Sequence, residues 1–224
     1  MKIRKICFAV VAILLAGCNT KVETTYHSNG IVLSEIQTKS GKREGLARYF
    51  YPNGRIEQEV SYSNNLPDGL LRRWNPKGTL VLEEHYEAGL KTGIATTWNN
   101  KGKRLSEIAW HADTMHGAAK EWYEHGVLKL EGNYYKGFYD GKWYWFSPEG
   151  KVTGEGFFKR GHGIVKVYHL NGKRASVTHY TDNKKDGRET AWDLAGKLVL
   201  DREWENGKIK QILAEEKTTR YENH

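Results

Sequence analysis

Two groups of side chains in this sequence have types and spacings that could support chemistry. Acids recur at Glu35, Glu59, Glu83, Glu107, Glu131, Glu155 and Asp201, and His111, Asp113 and His116 lie within six residues of one another. Paired carboxylates perform general acid and base work, and His/Asp groups bind metals. A hydrolase needs one distinct pair, however, whereas these acids form a stripe that repeats with the chain. Such a stripe is expected to pair with Lys and Arg across neighbouring strands. The histidines fall in a turn that does not point them at a common centre, so no metal site is expected. His162, between Gly161 and Gly163, reads as a turn residue. The chain has no Gly-x-Ser-x-Gly elbow, no His-Glu-x-x-His helix, no phosphate-cradling glycine loop and no cysteine pair. The expectation is a protein that is not an enzyme and uses no cofactor.

The spacing of the acids leads to the elements that carry them. Each acid follows a turn glycine by five residues: Gly30, Gly54, Gly78, Gly102, Gly126, Gly150 and Gly196. Gly172 completes the series, with Val177 in the acid position. An aromatic precedes each turn glycine by four residues, from Tyr26, Phe50 and Trp74 through to Trp192. A second aromatic follows by eight, at Tyr62, Tyr86, Trp110, Tyr134, Phe158, Tyr180 and Trp204. A fixed period of this length is the signature of a repeat architecture.

Pro52, Pro76 and Pro148 lie two residues before turn glycines. Proline presets the second position of a type I turn, and glycine accepts the left-handed residue that follows. The unit is therefore a β-hairpin with a three-residue loop, which pairs Tyr51 with Arg55 and Phe50 with Ile56. The fold expected is all-β: antiparallel hairpins in an elongated, twisted single sheet. About eight units of ~24 residues span 26–207 as one continuous array. The unit between Gly141 and Gly163 is two residues short, which predicts a tighter connection. Residues 208–224 form a C-terminal cap or tail.

Only Trp143 and Trp145 of the eight tryptophans fall outside the periodic slots. Alternation from the three-residue loop puts them opposite Phe146 and beside Glu155, on one face with Tyr123, Val165 and Val167. These five residues form the candidate partner-binding patch, either exposed or covered by the chain itself.

The first 17 residues combine Lys2, Arg4 and Lys5 with an apolar run from Ile6 to Leu15, the pattern of a signal peptide. Their removal takes away three positive charges and lowers the formal net charge from +8 to +5. The basic residues alternate with acids and form no run, so nucleic acid is not an expected partner. Residues 18–25 would then be a short tether.

Leu15-Ala16-Gly17-Cys18 resembles the lipobox of bacterial lipoproteins, which implies lipid attachment at Cys18 and a cell-envelope location. Asn19 in place of Asp favours the outer membrane where one exists. Tyr49-Phe50-Tyr51-Pro52-Asn53-Gly54, Glu131-Gly132-Asn133-Tyr134-Tyr135-Lys136-Gly137 and Asp140-Gly141-Lys142-Trp143 resemble the bacterial variant of the MORN repeat. Variants of this kind are grouped with the YwqK-family antitoxins. The resemblance implies a membrane-anchored, protein-binding scaffold. An antitoxin that neutralises a toxin is one alternative, and an envelope glycan-binding module using Trp143-Tyr144-Trp145 is another. The second-turn glycine is replaced at Asn65, Asp113 and Asn183, residues that tolerate left-handed geometry.

Overall fold

A computed structural model describes residues 20–215. The signal segment and Cys18 lie outside the described residues, as does most of the C-terminal tail. The chain divides into two compact units after Thr114. The first contains β1 (Thr20–Tyr26), β2 (Val32–Lys39), β3 (Lys42–Phe50), β4 (Ile56–Ser63), β5 (Leu66–Trp74), β6 (Leu80–Glu87), β7 (Leu90–Trp98) and β8 (Arg104–His111). The second contains β9 (Thr114–Trp122), β10 (Leu128–Tyr135), β11 (Phe138–Phe146), β12 (Val152–Lys159), β13 (His162–Tyr168), β14 (Arg174–Thr181), β15 (Lys184–Trp192), β16 (Leu198–Glu205) and β17 (Lys208–Glu215). In each unit every strand pairs antiparallel with the next. The protein is an all-β array of antiparallel hairpins.

The first turns have the three-residue geometry that the prolines require. Tyr51 N–H donates to Arg55 O at 2.8 Å, Gly54 N–H donates to Tyr51 O at 2.8 Å, and Phe50 pairs with Ile56. The second turns are two-residue loops with positive φ at both central positions, such as Asn64 (49°) and Asn65 (70°). This is the type I′ hairpin, whose twist matches that of its strands. Asn65, Asp113 and Asn183 hold φ of 70°, 61° and 63°, and each carboxamide or carboxylate has a further use. Asn65 Oδ1 accepts from Arg43 N–H at 2.7 Å, and Asp113 Oδ1 accepts from Lys91 N–H at 2.8 Å. Asn183 reaches further, accepting from Tyr139 N–H at 2.8 Å and donating to Gly137 O at 2.9 Å.

The strand after a second turn normally carries a bulge. Val60 pairs with Leu71 but Tyr62 pairs with Pro67, and Gly69 in the bulged stretch has φ of 105°. The acid before the equivalent glycine of a later unit caps a turn: Asp140, before Gly141, accepts through Oδ1 from Arg160 N–H at 2.9 Å. The shortened unit has no such bulge, since β12 and β13 pair without a shift from Lys159/His162 to Gly154/Val167. The missing two residues are those of the bulge.

Two expectations need correction. Residues 20–25 are not a tether. They belong to β1, which pairs with β2 from Thr20/Lys39 onward. The run Val22-Glu23-Thr24-Thr25-Tyr26 is rich in β-branched residues and suits a ladder. Residues 208–215 extend the array as β17, paired with β16.

The second correction concerns the faces. After each first turn the register steps by one residue: Phe50 pairs with Ile56, yet Tyr49 pairs with Gln58, skipping Glu57. A one-residue bulge exchanges the faces of all that follows. Tyr62, Val60 and Ala47 therefore share a front face, while Glu59 and Arg48 share the back. Phe50 follows the back face of β3, so the two aromatic slots lie on opposite sides. The front face of each unit holds buried positions: Ala47, Val60 and Ala95 in the first, Ala119 and Trp143 in the second.

Candidate functional site

The same bulge relocates the Trp143/Trp145 patch. Trp145 pairs with Gly154 although Phe146 pairs with Val152. This step puts both tryptophans on the front face with Tyr134 and Phe158; Glu155 pairs with Tyr144 on the back. The structure thus contradicts the expectation that the tryptophans stand beside Glu155.

Trp143 is 2 % exposed. Its ring meets Tyr139 at 4.7 Å and Tyr134 at 5.0 Å, both edge-on, and stacks beside Trp145 at 6.2 Å. Its Nε1–H donates to Asn133 O at 3.1 Å, so the indole's one polar group is satisfied. Two glycines make the space. A Cβ on Gly132 would fall 2.1 Å from Trp143 Cδ2, and one on Gly156 would fall 2.6 Å from Phe158 and 3.2 Å from Trp143 Cβ. The indole lies across the backbone of its neighbours, which is what a glycine inside a strand permits. Burial, with Tyr139 alongside, pushes the Tyr134 phenol up to about 12.

Trp145 is half-buried, packed over Gly154, and opens onto a strip set by register. Leu130 pairs with Trp145, Trp145 with Gly154, Gly154 with Val167, Val167 with Ser176, Ser176 with Ala191 and Ala191 with Leu200. Val167 is 37 % exposed. The structure brings Trp143, Trp145, Val165 and Val167 together. Tyr123 is elsewhere: its hydroxyl donates to Phe146 O at 2.8 Å, and its ring stacks on His125 in the first-turn row. Leu130, Leu200 and the glycines were missed in the sequence. The signal for the glycines was present, because Gly154-Glu155-Gly156 stands opposite Trp143-Tyr144-Trp145 across one turn.

The acid stripe is occupied by the ladder. On the back face Arg48 bonds Glu59 at 2.8 Å and Arg72 bonds Glu83 at 2.7 Å, while Arg188 bonds Asp201 at 2.6 Å. Asp113 caps a turn, His116 tilts against Tyr135 at 5.2 Å, and His162 meets Asp182 at 3.4 Å. The most heavily bonded acid is one outside the stripe. Glu189, buried on the front face, accepts from Lys185 Nζ at 2.7 Å, Arg202 Nε at 2.6 Å, Trp204 Nε1 at 2.7 Å and Thr178 Oγ1 at 3.2 Å. Although burial alone would raise it, these donors hold its carboxyl down at about 2.

The repeat is recognised independently of the geometry. Four segments match the MORN repeat variant. They are residues 43–64, 115–136, 139–160 and 161–182. Three run from the strand after a second turn, and the fourth from the last residue of that turn, through the first turn to the start of the next second turn. MORN repeats form binding scaffolds and are generally non-catalytic modules. No curated protein matches the chain.

Proposed function

We propose that this chain is a non-enzymatic scaffold, lipid-anchored through Cys18 in the cell envelope, that docks a protein partner on the front face of its second unit. The observation that carries the reading is the half-exposed apolar strip formed by Leu130, Trp145 and Val167 around Gly154. Trp is a preferred anchor at interfaces, and a strip supported from beneath by a packed aromatic cluster is rigid before binding. Trp143 supports this site without touching the partner. The lipobox ending at Cys18 supports the anchor, and Asn19 favours the outer membrane. A toxin is one partner class in keeping with the resemblance to YwqK-family antitoxins.

The test combines anchor and strip in the native host. Cys18→Ala is expected to release the protein from membranes or stall its processing. Trp145→Ala with Val167→Ser is expected to abolish recovery of the crosslinked partner while the protein stays membrane-bound and folded. Undiminished partner recovery in the double variant refutes the docking site, and normal membrane retention of Cys18→Ala refutes the anchor.

A further inference from the structure

The first-turn row of the first unit is a second surface, with different chemistry. Arg55, Lys77, Lys101, Lys103 and Arg104 all stand at or beside three successive first turns, and all are exposed. The turns are tied into a row. Asn53 Nδ2–H donates to Pro76 O at 3.1 Å, Arg55 donates to Lys77 O, and Asn75 Nδ2–H donates to Asn100 Oδ1 at 3.4 Å. Successive first turns are two strands apart, about 9.6 Å. Each of the three turns therefore presents at least one exposed cation along one edge, with three gathered at the third turn. Few acids offset them: Glu57 lies by Tyr51, and Glu107 is bound to Arg104 at 2.7 Å. This concentration is invisible in the sequence, where the same lysines and arginines are scattered over fifty residues.

We infer that this row is a docking rail for an extended anionic polymer, specifically a linear acidic polysaccharide. Cations on successive turns of one edge match a chain that carries charge along its length, and such contacts raise local concentration and on-rate. The tip residues select among polyanions. The tip residues Pro52, Asn53, Pro76, Lys77, Asn100 and Lys101 include no aromatic on which a base could stack, and the aromatic at the foot of the turn, Tyr51, is tied by its hydroxyl to Trp74 O at 2.8 Å. They also include no large apolar side chain to enter a bilayer interface. By contrast, the tips of the second unit carry Leu170 and Leu194, 66 % and 59 % exposed. Amides and cations on a polar edge suit hydroxyl-rich, carboxylate-bearing sugars. The rail shares no residue with the strip at Trp145, so either surface can fail without the other.

The probe is polygalacturonate of defined length, titrated against the full chain at two salt concentrations, with neutral dextran, single-stranded DNA and anionic phospholipid vesicles in parallel. The wild-type chain is expected to bind polygalacturonate, more weakly at higher salt, and to ignore dextran. Lys77→Glu with Lys103→Glu is expected to weaken binding about tenfold or more, since two contacts turn repulsive. Lys173→Glu, at a first turn of the second unit, is expected to change it less than about twofold. All three substitutions sit in exposed turns, and unchanged melting curves confirm folding. No binding by wild type, equal losses in the two variants, or tighter binding to DNA or vesicles than to polygalacturonate overturns the inference.

Discussion

The two units build the same hairpins around central front-face rows of opposite design. In the first unit the row reads Ile36, Ala47, Val60 and Leu71, with each pair set by register. One small residue sits among branched ones, and Ala47 and Val60 are 0 % and 1 % exposed. In the second unit the equivalent row pairs Trp143 with Gly156, which pairs with Val165, and Trp143 also lies across Gly132. One indole between two glycines replaces an alanine between branched residues. Bulk is redistributed along the row: it sits on the residues flanking Ala47 in the first unit and on Trp143 itself in the second. The difference continues one row nearer the first turns. There the first unit shows Tyr49, Gln58 and Arg73, and the second shows Leu130, Trp145, Gly154 and Val167. Among the described residues, only those of the second unit present an apolar, glycine-floored strip, and that strip is the proposed docking surface.

The largest effect should come from breaking the aromatic row itself. Trp143→Ala is expected to destabilise the second unit by about 3–5 kcal/mol, as for a fully buried aromatic. Native-state hydrogen exchange should show the loss in β10 to β13 and leave β3 to β6 protected, because each hairpin contacts only its neighbours. Equal loss in both units would contradict the local role given to Trp143. A smaller effect tests the volume exchange. Gly132→Val alone should cost about 1–3 kcal/mol by overpacking against the indole. Combined with Trp143→Ala, which recreates the alanine and branched pairing of Ala47 and Val60, it should cost measurably less than the sum of the two single variants in denaturant titrations. Simple additivity would mean that the glycine and the tryptophan are not one packing unit.

The smallest effect concerns the far end of the second unit, where Glu189 occupies the same row position as Trp143. Its folded pKa, about 2, lies below the ordinary value of 4.5. A depressed carboxyl contributes stability that is fully present above the unfolded pKa and is lost as pH falls through the folded one. Stability should therefore decline between about pH 4.5 and pH 2, and Glu189→Gln should flatten part of that decline. Identical pH profiles for the two proteins would remove Glu189 from the account.

Much of this organisation was legible in the sequence. Pro52, Pro76 and Pro148 announced the three-residue turns, and the pairing of Phe50 with Ile56 followed from them. The two-residue shortening before Gly163 announced an altered connection. The faces were not legible, because the extra residue at Glu57 and its counterparts leaves the apolar alternation of each single strand intact. A bulge changes only the relation between strands, and that relation decided where Trp143 points. Val22, Thr24 and Thr25 could have revealed β1, but a strand beside an apparent tether lacks the flanking turn that marked the others. The cation row of the first unit depends on turns being neighbours in space, which no linear charge count reveals.

The claim most exposed to contradiction is that one unit docks a partner where the other, built on the same repeat, does not. A photo-crosslinking residue placed at Val167, and separately at its first-unit counterpart Thr97, tests it in the native host. The account predicts a discrete adduct of one mass from position 167, lost when Trp145→Ala is added, and none from position 97. The same adduct from both positions, or an adduct from 167 that survives Trp145→Ala, would contradict it.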